Sequence, residues 1–192
     1  MNRRTVVVGV IACFSLNLAV LTEASAQGDW DVVLNGRAIH MNAAQKWNEA
    51  NWGLGFEREF NSSGRWVKVA LVNGFKDSVS ELSYMAGGGL KRRFRPAADA
   101  FYVDVGLIGF MMTRQDVNNN QPFPGVLPAM TLGSRRIAVN FTYLPDSVVD
   151  RVTNAHLADP QMDGVLFIQL KFDSSLFGFG GKRQILADSP AE

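Results

Sequence analysis

The sequence predicts an all-β fold, an eight-stranded antiparallel β-barrel of the outer-membrane type. Three observations carry this. The chain opens with an export signal, its apolar segments alternate and are too short for membrane helices, and the connections between them alternate short and long. In a bilayer such segments satisfy their backbone groups only by closing a sheet on itself.

The opening Met1-Asn2-Arg3-Arg4 is charged, Thr5 to Leu21 is largely apolar, and Ala24-Ser25-Ala26 is a small-x-small cleavage site. Residues 1–26 therefore read as a signal peptide, 27–172 as the barrel domain and 173–192 as a mobile or extra tail. A transmembrane anchor is the other reading of the first run, but Ser15 and Asn17 interrupt it and the cleavage site follows at once. The only cysteine is Cys13, in a segment that loosely resembles a lipoprotein box, with apolar residues continuing after it. Cleavage at Ala26 leaves a mature chain without thiols, hence without disulfides, thiolate metal sites or cysteine nucleophiles. A net charge of +1 makes no case for nucleic acid. No apolar run of about 18 residues follows the signal, so no membrane helix is expected. Yet hydrophobic residues make up 47% of the chain, which is high beside its 18 glycines.

Eight segments alternate, over 31–40, 51–60, 65–75, 82–94, 100–113, 127–133, 136–143 and 164–172. In the fifth, Phe101, Val103, Val105, Leu107 and Met111 share one face, against Tyr102, Asp104, Gly106, Ile108 and Met112. The seventh and eighth repeat the pattern. The first is irregular, and Gly36-Arg37 suggests a bulge. Residues 61–64, 95–99 and 134–135 make short turns, whereas 41–50, 76–81, 114–126 and 144–163 are mostly longer. Tight turns on one rim and longer loops on the other are how outer-membrane barrels are built. A soluble lipid-binding barrel has the same period with apolar residues inward. Trp52, Phe56, Phe60, Trp66, Phe101 and Tyr143 near strand ends favour an aromatic girdle at the membrane interfaces, and Gly53, Gly55, Gly87, Gly88, Gly89 and Gly106 suggest room inside.

This topology gives the Phe75-Lys76-Asp77-Ser78 stretch a meaning beyond a solvated turn. The first strand reaches the outer rim at His40 and the third reaches it at Asp77 and Ser78, after about 9–11 residues each. A histidine, a carboxylate and a hydroxyl at one level are candidate acyl-transfer chemistry. His156, in the longest loop, is expected to be solvated. With the two histidines far apart and no thiol, neither a metal site nor a cofactor is expected.

The chain resembles the lipid A palmitoyltransferase family of Gram-negative outer membranes (PagP). The resemblance runs from about Asp31 to Phe172. It rests on His40, Asn48-Glu49, Trp52-Gly53-Leu54-Gly55-Phe56, Gly64-Arg65-Trp66, Phe75-Lys76-Asp77-Ser78, Ala86-Gly87-Gly88-Gly89, Phe94-Arg95-Pro96-Ala97-Ala98-Asp99, Val126-Leu127-Pro128 and Phe141-Thr142-Tyr143-Leu144-Pro145, in that order. It implies an outer-membrane barrel that moves a palmitoyl chain from a phospholipid donor to lipid A; a monomer is expected, though the sequence itself does not show the oligomeric state. It implies that His40, Asp77 and Ser78 are catalytic. It further implies that Gly89 is the floor of the acyl-chain pocket, and that Pro128 and Pro145 leave lateral access for lipid. On these roles His40 is a general base, Asp77 supports it, and Ser78 binds the ester carbonyl or attacks it. A non-enzymatic small outer-membrane barrel is the competing reading.

The sequence also departs from the family pattern. Only Gln27 to Trp30 precede the first strand, where the family has an amphipathic helix. The first outer loop is shorter by several residues. Positions that carry partner prolines correspond to Asn35 and Asn51, which can donate. The chain runs on past Phe172, where the family usually ends.

Overall fold

A computed structural model describes residues 30–61, 64–97, 101–134, 136–148, 159 and 161–178. The expected signal peptide, His156 and the tail beyond 178 lie outside the described residues. The strands are β1 (Trp30–Met41), β2 (Ala50–Asn61), β3 (Trp66–Lys76), β4 (Leu82–Ala97), β5 (Phe101–Met112), β6 (Phe123–Gly133), β7 (Ile137–Pro145) and β8 (Gly164–Asp173). Each pairs antiparallel with the next, and β8 returns to β1, so the sheet is closed. The alternation of connections holds, with 42–49, 77–81, 113–122 and 146–163 on the rim that carries His40.

Two strands run further than expected. β6 starts at Phe123, inside the expected loop, because β5 pairs with it as far as Met112↔Phe123. Pro124 hid it, since proline in a strand argues for an edge. β4 continues through Pro96, with a register shift between Phe94 and Ala97. β8 takes in Asp173, whose side chain accepts from the Ser175 N–H and caps a short 3-10 turn over Ser174–Phe177.

The barrel faces decide between membrane and soluble readings. Trp52, Leu107, Val126 and Phe101 are 58–71% exposed on the outside, while Lys91, Lys171 and Glu57 are at most 2% exposed inside. Apolar out and charged in is the membrane arrangement. Phe60 does not join the aromatic girdle. It is buried, with the Arg58 guanidinium 5.2 Å from its ring. Nor do the inward glycines leave empty space. Asn73 lies over Gly55, Phe110 over Gly87 and Ile108 over Gly89, each filling its partner strand's gap.

A bulge at Gly36 sets the direction of everything after it in β1. Asn35 pairs with Gly53 and Gln169, and the next paired residue is Arg37, with Ala50 and Ile168. The extra residue reverses the alternation. Asp31, Val33 and Asn35 are buried before it, and Ala38 is buried after it, so His40 turns inward and Arg37 outward.

The half of the interior away from His40 is an ion network. Lys171 Nζ, on β8, lies 3.2 Å from Asp31, 3.0 Å from Glu57 and 2.7 Å from Glu59. Lys91 Nζ, on β4, donates to Glu57 at 3.1 Å and to Thr131 Oγ1 at 3.2 Å, and that hydroxyl donates to Asn140 at 2.7 Å. Arg93 forks onto Asp104 at 2.7 and 2.8 Å and reaches Glu59 at 3.0 Å. Asp31, Glu57 and Glu59 bring oxygens within 4.8 Å of one another, a metal-like grouping, but the Lys171 ammonium bonds to all three.

Removing one partner from a buried ion cluster leaves uncompensated charge. Lys171→Ala should lower unfolding free energy by about 3–5 kcal/mol, against under about 0.5 kcal/mol for the exposed Lys68→Ala. Urea titration of the folded barrel, followed by tryptophan fluorescence, measures both.

Candidate active site

Three neighbouring strands bring the site together. His40 ends β1, Ser78 follows the end of β3, and β2 lies between them. His40 Nε2 and Ser78 Oγ are 3.0 Å apart. The imidazole stacks on Trp47 from the first outer loop, with centroids 5.4 Å apart and planes 14° off parallel. Its Nδ1 is buried without a hydrogen-bond partner. The ring is therefore held by stacking and by Ser78, and among the described residues no carboxylate bonds to it.

Asp77 does different work. It is 1% exposed, and its carboxylate accepts from the Val79 and Glu81 N–H groups at 3.0 Å each and from Ser83 Oγ at 2.9 Å. These bonds fold the 77–81 turn and fix Ser78. Arg114, from the loop after β5, approaches Asp77 to 4.0 Å and pairs with Asp116 through two bonds of 2.8 and 2.9 Å.

Two asparagines span the intervening strand. Asn48 donates its backbone N–H to Ser78 O and its amide to Asp77 O, both at 2.9 Å. Asn51 accepts from the Ala38 N–H at 3.0 Å and donates to Lys76 O at 2.8 Å. Together they tie the ends of β1 and β3 across β2. On the exposed edge, Arg37 bonds Glu49 at 2.7 Å and holds that carboxyl below its ordinary range. The loop bearing Trp47 is also pinned from the last outer loop. The buried Asp159 carboxylate accepts from the Gln45 N–H at 2.6 Å, and Asp163 N–H donates to Met41 O at 3.0 Å.

Below the pair an apolar shaft enters the barrel. Phe75, Met85, Phe110, Ile108, Leu127 and Phe167 line it, and Glu57, Lys91, Thr131 and Asn140 close its far end. Gly89 faces inward one layer above Lys91. Ile108, its cross-strand partner, supplies the shaft surface at that level, and a Cβ on residue 89 would meet Leu107 O and lie 2.9 Å from Ile108 Cγ1.

The shaft also reaches the barrel wall. The β6–β7 ladder runs only from Ala129↔Thr142 to Gly133↔Ala138. Pro128 is the first residue past it, and Pro145 lies on the facing edge of the same seam, paired on its other side with Gly164. Val126, in the unladdered stretch, is 63% exposed outside and also lines the shaft. Pro128 and Pro145 have no N–H to leave unpaired there. Asn35 and Asn51 lie on another seam, between β1 and β2. There Asn35 is paired with Gly53 and bonded to Asn73 and Gln169, and Asn51 stitches β1 to β3.

The sequence reading named His40, Asp77 and Ser78 but missed Trp47, Asn48 and Asn51 as residues that position them. Asn48 stood in a quoted motif, yet nothing in its neighbourhood announced a bond across two strands.

These features define a class: a closed membrane-type β-barrel with a histidine–serine pair at the mouth of an internal apolar shaft. The profile of the family described as antimicrobial peptide resistance and lipid A acylation protein PagP matches residues 22–155. The chain belongs to that family. It is 32% identical over 132 residues to a lipid A acyltransferase PagP of Methylobacillus flagellatus, covering 65% of this chain and 71% of that protein. A protein of the same description from Bordetella pertussis is 30% identical over 126 residues, covering 62% and 68%. Among solved structures, the Yersinia pestis outer membrane protein Ail gives a TM-score of 0.39 at 7% identity, covering 76% of this chain and 99% of that one. The fold assignment rests on the strand pairing above and not on that likeness.

If Asp77 serves the turn, an amide can replace part of its function. Asp77→Asn should keep an acceptor for the Val79 and Glu81 N–H groups, and Asp77→Ala should lose all three bonds. Limited proteolysis of folded protein should cut the 77–81 turn about tenfold faster in Asp77→Ala than in wild type, with Asp77→Asn between them.

Proposed function

We propose that this chain is an outer-membrane acyltransferase that moves a palmitoyl chain from a phospholipid to a hydroxyl of lipid A. It acts as a monomer in the outer membrane of a Gram-negative bacterium, after residues 1–26 are removed on export. The observation that carries the reading is the 3.0 Å contact between His40 Nε2 and Ser78 Oγ at the mouth of an apolar shaft. Relatives described as lipid A acyltransferases support the choice of acceptor.

The neutral imidazole of His40 accepts a proton from the attacking hydroxyl as its oxygen bonds the ester carbonyl carbon, and returns it to the glycerol oxygen of the lysophospholipid that leaves when the donor ester bond breaks. Ser78 Oγ either holds the ester carbonyl or attacks it, and an acyl group recovered on Ser78 after acid quench distinguishes the second route. Asp77 acts through the turn it folds. The donor chain lies in the shaft, and the open β6–β7 seam beside Pro128 and Pro145 gives it a lateral way in.

Mass spectrometry of lipid A with and without the protein tests the whole reading. His40→Ala and Ser78→Ala should each lower transfer about 100-fold or more while keeping the heat-dependent gel shift of a folded barrel. Full transfer by folded His40→Ala overturns the assignment.

The shaft also measures the chain. Gly89 lies seven residues along β4 from Leu82, a drop of roughly 18 Å for a tilted strand, which is of the order of an extended sixteen-carbon chain. A side chain at residue 89 displaces Ile108 into the shaft and raises its floor. Gly89→Met should therefore shift donor preference from sixteen-carbon toward twelve- or fourteen-carbon chains, and Gly88→Ala, facing outward, should leave preference unchanged. Transfer from phospholipids of each length in detergent is the measurement.

A further inference from the structure

The charges of the strands are sorted by sign. Their carboxylates, Asp31, Glu57, Glu59, Asp104 and Asp173, are all buried in the interior. Among the described strand residues none faces outward. The outer surface carries cations instead, and only near its two ends. Arg37 and Lys76 lie at the rim that holds His40. At the opposite end, Arg58, Lys68 and Arg92 project from β2, β3 and β4, three adjacent strands, and the exposed Arg65 sits in the turn entering β3. The same end of β5 to β8 presents Phe101, Val103, Leu132, Ile137 and Phe172. Among the described strand residues the outward cations of this end are thus confined to β2–β4, and the exposed Arg136 lies apart from them, before β7.

Aromatic rings are interleaved with this basic patch. Trp66 pairs with Arg92 across the strands. The Arg58 guanidinium stands 5.5 Å from the Trp30 ring, and Arg92 stands 5.4 Å from Phe94. Trp30, Trp66 and Phe94 are all exposed. Such rings mark the depth of lipid headgroups. Arg65, Lys68 and Arg92 make no ion pair with the described residues.

The wall directly above the patch is hollowed. Phe56, Val72, Gly74, Tyr84, Ala86 and Met111 border a shallow depression of about 550 Å³ on the outer face of β2 to β5. Val72 is four residues along β3 from Lys68, about 13 Å, within the reach of an acyl chain whose headgroup sits at the cations.

We propose that Arg65, Lys68 and Arg92, flanked by Arg58, form a binding site for an anionic phospholipid of the leaflet opposite the active site, with one acyl chain laid in the hollow above. Cation clusters at this depth recognise anionic headgroups. The absence of an outward carboxylate among the described strand residues gives the selectivity. A zwitterionic headgroup brings an ammonium or choline that meets no strand carboxylate there among the described residues, whereas phosphatidylglycerol brings a phosphate alone. The proposal rests on the barrel spanning a membrane and not on the acyl-transfer chemistry.

Native mass spectrometry of delipidated, folded protein tests it, with equal phosphatidylglycerol and phosphatidylcholine of matched chains in mixed micelles. Wild type should retain phosphatidylglycerol about tenfold or more over phosphatidylcholine. The triple variant Arg65→Gln/Lys68→Gln/Arg92→Gln should lose that preference, and Arg136→Gln, before β7, should keep it. Glycerol 3-phosphate at the same concentration should not displace the lipid. No preference in wild type, an unchanged preference in the triple variant, or an equal loss in Arg136→Gln overturns the proposal. Displacement by glycerol 3-phosphate overturns it in favour of a free-phosphate site. The wild-type comparison decides the matter even where the triple variant fails to fold. Lipid A acylation assayed in parallel separates the two readings, because loss of transfer with intact lipid preference counts against the acyltransferase assignment alone.

Discussion

The barrel depends on one buried arrangement, the Lys171 ammonium held among Asp31, Glu57 and Glu59. A lone charge inside a narrow barrel is costly, and a partly satisfied network is worse than an apolar core. The network is well provided with partners. Lys91, Arg93, Asp104, Thr131 and Asn140 extend it through β4, β5, β6 and β7, so that every strand except β3 contributes a member. It does two jobs at once. It holds the far half of the barrel together across its interior, and its upper surface ends the apolar shaft. The depth of the apolar shaft is therefore set partly by residues that stabilise the fold.

Chemistry and access divide between the two sides of the barrel. On the β1–β3 side Asn48 and Asn51 bind three strands into a firm seat for His40 and Ser78. On the β6–β7 side the ladder stops short and prolines line the opening. A rigid site beside a loose seam suits an enzyme that must admit a long chain without disturbing its catalytic groups. Asn35 and Asn51 tie the β1–β2 seam with hydrogen bonds, whereas the β6–β7 ladder ends at Ala129↔Thr142.

Much of this was legible in the sequence, and the failures share a cause. The eight segments and the alternation of connections could be read because strand period and turn composition are local. The level of His40 with Ser78 followed from counting residues along tilted strands. What could not be read depends on a neighbour far away in sequence. Pro124 disguised the start of β6, whose strand character comes from pairing with β5. The inward glycines looked like empty space, but Asn73, Phe110 and Ile108 fill them from adjoining strands. Asp77 seemed a partner for the histidine, and its carboxylate instead faces its own turn. Trp47 carried no signal because its role is a stacking contact made by a loop.

The bulge at Gly36 has a consequence for how such proteins diversify. One inserted residue turns His40 toward the lumen without altering the pairing of Trp30 through Asn35. The outward faces of Val32 and Leu34, before the bulge, do not depend on it. A single-codon insertion or deletion at this place would thus decide which way residue 40 faces in two barrels of almost the same sequence, and if His40 has the proposed role, competence would turn on one genetic step.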